Sequence, residues 1–309
     1  MTERAPAPSQ QRIYFFLILT TLLWGGSFLF TKIGLREIAP PMFVFLRFSL
    51  ATLIMLIVFC RRLRLLDRTT LQRGMTVGFV LGLTNLTFVF GVNHTSISRA
   101  GVLNNLFVLF IPLITKIIWK DRIGRTNMAG IMIAAAGIWF LATGGGAGFN
   151  QGDLISTICA LFIAAHIITV SKVLRDDDVY LISMVQFATV AVMAGAAVLT
   201  TLPLPRTIPS SAALMTVVYG AVFPTIFCFT LQNAYQRYVT PTRAGLVYTL
   251  DPVWSLMAGV FILNESLNPV EWLGCGLIFL AALLPLSIRF FWERRLVRRY
   301  IEDNDTTKV

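Results

Sequence analysis

Asp251 lies inside an apolar, helix-length stretch, residues 242–265 (TRAGLVYTLDPVWSLMAGVFILNE), and Pro252 follows it directly. A carboxylate near the centre of a bilayer costs about 2.5–3.5 kcal/mol on insertion scales, so it must face a cavity or a partner. Proline has no N–H and its ring clashes with the preceding turn, which frees a carbonyl near residue 248. An interrupted helix beside an ionisable group fits a substrate or proton site. The competing reading is a structural carboxylate tied to Arg47 or to a neighbouring amide.

Other residues with chemical potential surround this one in the sequence pattern. Arg47 sits seven residues into the second apolar run, roughly 10 Å below the surface at 1.5 Å per residue. At that depth it can snorkel outward, clamp a carbonyl, or meet a substrate carboxylate. Trp24 heads Trp24-Gly25-Gly26-Ser27, an aromatic wall beside small residues that let helices approach. His166 is the one histidine inside a span, and is read as hydrogen-bonded or as a proton relay. Asn85, Asn104 and Gln232, with Asn105, Gln186 and Asn233, are amides in apolar runs that can join helices or serve a polar substrate. Tyr248 and Trp254 flank Asp251 and complete the candidate set.

These residues need a membrane scaffold to position them. The chain is 56% hydrophobic and 13% charged, where soluble domains carry about 25% charged residues. Its apolar runs are roughly 20 residues long, which suits helices crossing a ~30 Å hydrocarbon core. Ten spans are predicted: 13–33, 40–60, 74–93, 98–119, 126–143, 153–173, 180–201, 211–234, 242–264 and 270–291. Arg4 and Arg12 precede the first run, which is too long for a signal peptide and is read as a retained helix. Of 26 basic residues, 20 fall on one side of this arrangement and four on the other (Lys32, Arg36, Arg99, Arg206). Both termini are therefore expected in the cytoplasm. The net charge of +11 is explained by this topology, and no nucleic acid is implied. Cys60, Cys159, Cys228 and Cys275 show no ligand spacing and are read as buried free thiols.

The chain also repeats itself. Residues 98–121 and 242–265 align without gaps through Arg99/Arg243, Ala100/Ala244, Gly101/Gly245, Leu106/Leu250 and Ile118/Ile262. Both end on an acid, Asp121 and Glu265, and Gly130/Gly274 keep the offset. Asp251 has no twin, because Phe107 takes its place. Five spans per half is an odd number, so the second half must enter the membrane inverted. Inverted repeats around a midplane site are a recurrent transporter plan.

Trp24-Gly25-Gly26-Ser27-Phe28, Phe45-Leu46-Arg47-Phe48, Leu250-Asp251-Pro252-Val253 and Glu265-x5-Glu271-Trp272-Leu273-Gly274 together resemble the EamA-type carriers of the drug/metabolite transporter superfamily. The resemblance covers nearly the whole chain, including the five-plus-five duplication. One departure is Pro112, which lies one turn later in its repeat than Pro252 does. The resemblance implies an all-α membrane protein with two inverted five-helix repeats, residues 13–145 and 150–291, and a cytoplasmic tail, 292–309. It implies export of amino acids or related metabolites, or movement of drugs, vitamins or metallophores.

Enzyme chemistry would need paired aspartates, an HExxH site or a Ser/His pair, and none is present in workable form. Gly144–Gly146 lacks the Gly-Lys-Ser/Thr of a phosphate loop, and Asp176–Asp178 is read as a solvated loop. A purely structural scaffold is disfavoured by the cost of burying Asp251. The expectation is a multi-pass plasma-membrane protein, monomeric or weakly dimeric, without a cofactor. Its partners are a small-molecule substrate and the lipid bilayer.

Overall fold

Apolar side chains crowd the outside of this molecule as well as its core. Leu199, Ile117 and Phe261 are 84%, 79% and 75% exposed, while Leu17, Phe48 and Phe187 are wholly buried. Helices that are apolar all round belong in hydrocarbon, where backbone groups must be satisfied within the helix itself. The computed structural model describes residues 8–120, 125–144, 149–174, 177–201 and 209–281. Every element among them is helical.

The first half comprises α1 (Gln10–Gly34), α2 (Pro40–Phe59, extended by a 3-10 turn Cys60–Leu65), α3 (Arg68–His94), α4 (Ile97–Asn104), α5 (Phe107–Trp119) and α6 (Arg125–Gly144). The second comprises α7 (Gln151–Val173), α8 (Val179–Thr201), α9 (Ser211–Gly220), a π-helical segment Ala221–Phe227, α10 (Cys228–Tyr235), α11 (Pro241–Tyr248), α12 (Asp251–Met257) with a π-helical Ala258–Ile262, and α13 (Pro269–Ala281). Among the described residues, seven helical stretches are long and apolar enough to cross a membrane. Three shorter apolar ones, Met128–Gly137, Val253–Ile262 and Pro269–Ala281, accompany them.

Side-chain caps set the helix starts. Ser9, Asp67, Ser96, Asn150 and Ser210 each accept from the amide three residues on, which satisfies one of the orphan donors of a helix N-terminus. Because Ser9 and Asp67 cap, α1 and α3 begin at Gln10 and Arg68 rather than at the expected 13 and 74. The polar 61–73 connection is correspondingly short. Asn268 and Glu271 form a reciprocal cap at α13: Asn268 Oδ1 accepts from Glu271 N (2.9 Å), and Glu271 Oε2 accepts from Asn268 N (3.0 Å).

Two sequence expectations are corrected. Asp177 and Asp178 do not simply sit in solvent, since Arg73 and Arg62 reach them at 2.9 and 2.5 Å. Cys60 is exposed, unlike the other three cysteines. Asp121, Asp176, Gly145, Gly146, Arg206 and residues 282–309 lie outside the described residues.

The fourth and ninth apolar runs are each broken, and at the same place. In the first, Asn105 N donates to Gly101 O (3.3 Å) and Leu106 N to Leu103 O (3.1 Å). In the second, Thr249 N donates to Gly245 O (3.2 Å) and Leu250 N to Val247 O (3.2 Å). The two turns coincide when shifted by 144 residues. Pro252 therefore does not account for the break by itself, because the first copy turns identically with Val108 at that position. The broken helices cross in an antiparallel sense, α4 packing on α12 and α5 on α11. Glu265, at the far end of the second, accepts from Ile97 N (2.8 Å), Ser98 N (2.9 Å) and Ser98 Oγ (2.7 Å) at the start of the first.

Candidate functional site

A cavity of about 110 Å³ lies where the two breaks meet. Asn104, Asn105 and Phe107 line it from the first broken helix, and Tyr248 and Asp251 from the second. Asn104 and Tyr248 occupy equivalent repeat positions, as do Phe107 and Asp251. Eight of the nine candidate residues named from sequence face this one space: Trp24, Arg47, Asn85, Asn104, His166, Gln232, Tyr248 and Asp251. Trp254 does not. Its Nε1 donates to Thr21 Oγ1 at 3.3 Å, and it packs α12 so closely on α1 that a Cβ on Gly25 would sit 2.1 Å from its own.

Arg47 is held by a chain of local causes that begins at Pro224. Proline lacks an N–H, so the Gly220 carbonyl one turn earlier loses its ordinary α-helical donor, and the segment widens into a π-helix. Thr225 Oγ1 donates to that carbonyl at 2.7 Å, and Arg47 Nε donates to it at 3.0 Å. Nε also reaches Thr225 Oγ1 at 2.7 Å, and the guanidinium lies 5.2 Å from the Phe48 ring centroid. Glycine at 220 leaves room for this, because a Cβ there would lie 3.1 Å from Arg47 Cδ. Arg47 is thus 3% exposed and clamps a carbonyl instead of snorkelling or pairing with Asp251. The spacing Gly220-x3-Pro224 inside one apolar run was the available signal.

The same segment orients the aromatic wall. Pro224 O accepts from Trp24 Nε1 at 3.1 Å, and the Trp24 ring stands 5.3 Å from both Phe229 and Tyr248. Phe229 also approaches His166 (6.0 Å between ring centres) and lines the cavity, a role that sequence reasoning did not assign to it.

Polar groups complete the lining. Asn85 Nδ2 donates to Leu81 O at 3.1 Å. His166 Nε2 lies 3.3 Å from Gln186 Nε2, and Asn233 Nδ2 donates to Gln186 Oε1 at 2.7 Å, so the histidine is hydrogen-bonded. By contrast, Asn104 Oδ1, both side-chain amide atoms of Asn105, Gln232 Oε1 and Asp251 Oδ1 are buried without a hydrogen-bond partner. Buried polar atoms are ordinarily paired, so five unpaired ones around one cavity make it the candidate site. Among the described residues, no three His, Cys, Asp or Glu side chains converge as a metal site requires.

Sequence reasoning missed an ion cluster at the start of α4. Arg99, counted among the four basic residues of one side, is buried between Asp153 (2.5 Å) and Glu271 (3.0 Å). Asp153 also accepts from Thr95 Oγ1 (2.7 Å) and Asn150 N (3.1 Å). Lys32 Nζ donates to Val92 O (2.5 Å) and Thr95 O (2.7 Å). Together these contacts fasten the start of α4 to α7 and α13.

Known proteins share this plan. The sequence profile described as the EamA-like transporter family matches twice, over residues 11–143 and 150–287. A protein of Archaeoglobus fulgidus named "Uncharacterized transporter" is 30% identical over 93% of this chain and 90% of its own length. The "Uncharacterized inner membrane transporter YedA" of Escherichia coli is 24% identical over 91% of this chain and 93% of its own. A solved crystal structure has the same fold, with a TM-score of 0.67 at 18% identity, covering 93% of this chain and 99% of the other.

Proposed function

The chain belongs to the EamA-like transporter family, and from that premise we propose a secondary carrier that exports amino acids or related small metabolites by alternating access. It resides in the plasma membrane as a multi-pass protein. Ten spans form two inverted five-helix repeats, 13–145 and 150–291, with both termini and the 292–309 tail in the cytoplasm. The antiparallel crossing of α4–α5 with α11–α12 supports this, since two like elements that cross head to tail are what an inverted duplication produces.

The observation that carries the reading is Asp251, an unpartnered carboxylate in the cavity that both breaks line. Sites at interrupted helices between repeats allow rocking of one half against the other to expose the same groups to either side. A scaffold would have no use for such a group, and the cost of keeping it argues against one. Carriage of a drug, vitamin or metallophore is the second reading, because the fold accommodates it equally.

Counterflow in proteoliposomes decides between them. Vesicles loaded with unlabelled amino acids should take up the labelled compounds above protein-free controls. Uptake of drugs or vitamins alone would reverse the substrate assignment, and uptake of nothing would contradict the carrier reading. Reporters fused after Val309 and within residues 61–73 should be cytoplasmic, and one at Gly146 external. A cytoplasmic reporter at Gly146 would overturn the ten-span arrangement.

A further inference from the structure

Four of the five unpaired atoms of the cavity are acceptors, Asn105 Nδ2 being the one donor among them. Gln232 shows why the sign of its free atom is fixed. The Ile167 carbonyl can only accept, and Gln236 Nε2 donates to it at 2.7 Å. That leaves Gln236 Oε1 as an acceptor, which receives Gln232 Nε2 at 2.7 Å and the Tyr248 hydroxyl at 3.0 Å. Gln232 must then present Oε1, which is buried, unpartnered and part of the cavity lining. A backbone carbonyl two links away determines the orientation of the amide. Gln232 and Asn104 are 1% and 4% exposed, so water does not satisfy them from outside.

Asp251 adds a second atom that only accepts when ionised, and Asn104 Oδ1 a third acceptor. On the donor side, Arg47 Nε is already committed to Gly220 and Thr225, and none of the Arg47 donors is among the buried unpartnered atoms. The unmet demand is mainly for hydrogen-bond donors, and the ionised Asp251 favours donors that carry positive charge. Two aromatic rings, Trp24 and Phe229, stand beside it at 5.3 Å from each other, and ring faces attract cations.

Resting on the reading of this cavity as the carrier's substrate site, we propose that it selects its cargo by a primary ammonium group. That group docks on Asp251 with Asn104 Oδ1 and Gln232 Oε1 as its further acceptors, and with the Trp24 and Phe229 rings beside it. An ammonium has three donors and no acceptor, which matches this set. The ammonium is obligatory, because without it three buried acceptors stay unpaired. A carboxylate on the same molecule is optional, with the remaining Arg47 N–H groups to receive it. Anions lacking an amine, such as organic acids and phosphate esters, are excluded by Asp251.

Three probes of one shape and different charge test this on the purified full-length protein: benzylamine, benzyl alcohol and benzoate. Binding is read from tryptophan fluorescence and from thermal stabilisation. Benzylamine should bind at least about tenfold more tightly than benzoate, since charged hydrogen bonds lost in a buried site cost that much or more. Asp251→Asn should reduce benzylamine affinity at least about tenfold while leaving benzyl alcohol unchanged. Asn104→Leu provides a second variant, with a smaller loss of the same sign. Benzoate binding as well as benzylamine would overturn the inference while leaving the carrier reading intact. Benzylamine binding undiminished in a folded Asp251→Asn protein would overturn it too. Absence of binding by all three probes would also contradict it, whereas absence of counterflow for every metabolite class would instead contradict the carrier reading.

Discussion

Shifted by 144 residues, the turn at Asn105–Leu106 falls on the turn at Thr249–Leu250, with matching hydrogen bonds. The side chains around these turns do not match. The first offers Asn104, Asn105 and Phe107 to the cavity, and the second offers Tyr248 and Asp251. One proline, Pro112, lies inside α5, and the other opens α12. The shared feature is the backbone, so the break belongs to the way the two helices cross and not to either proline. The unshared feature is the charge, so the chemistry resides in one copy. In the carrier proposed above, a duplicated frame with an unduplicated carboxylate would let the halves exchange conformations while the binding group stays single.

Removing the anchor of the first broken helix should do the most damage to this arrangement. Arg99→Leu strands Asp153 and Glu271, and breaking a buried ion pair costs about 3–5 kcal/mol. The expected outcome is lost expression or a large drop in the melting temperature in detergent, read by thermal unfolding. A variant as stable as the parent would mean that the cluster does not hold α4.

A smaller effect is expected where the crossing is tightest. A Cβ at Gly259 would meet Ser98 Oγ at 2.4 Å and Glu265 Oε2 at 2.5 Å, the contacts by which the second helix caps the first. Gly259→Ala should therefore destabilise by about 1–3 kcal/mol, as overpacking usually does. On the other arm, Gly245 faces the flexible end of Ile111 at 2.7 Å. Gly245→Ala should cost less than about 1 kcal/mol, because a side-chain tip can yield. Equal losses at the two glycines would show that the arms of the crossing are packed alike.

Least of all should follow from Pro252→Ala. The first break forms with Val108 at that position, so the second should survive without proline, with a stability change of roughly 0.5 kcal/mol or less. Melting temperature and counterflow together check this. A collapse of either would return the break to the proline.

Much of this organisation was legible in the sequence, and the reasons for what was not are specific. The repeat was visible because Arg99/Arg243, Gly101/Gly245 and Leu106/Leu250 keep one offset. Asp251 stood out because charge is expensive in an apolar run, and the same contrast picked out Arg47, His166 and the amides. The turn itself carried no local signal, since Asn105–Leu106 and Thr249–Leu250 share only a leucine and owe their shape to a tertiary crossing. Arg99 was misjudged because its partners lie 54 and 172 residues away. Trp254 was included for its nearness to Asp251 in sequence, yet it turns to α1, although residues three apart ordinarily share a helix face. Phe229 was overlooked because one phenylalanine among 24 in a membrane protein has nothing to distinguish it.

The central claim is that Asp251, at the second break, serves the cargo and not the fold. Counterflow of labelled amino acids in proteoliposomes, measured for Asp251→Asn beside its melting temperature, tests this most directly. The amide keeps the size of the side chain and removes its charge. With Arg47 held by Gly220 and Thr225, no buried cation is stranded. The account predicts a melting temperature unchanged within a few degrees and transport reduced at least about tenfold. A stable Asp251→Asn protein that transports as well as the parent would contradict it.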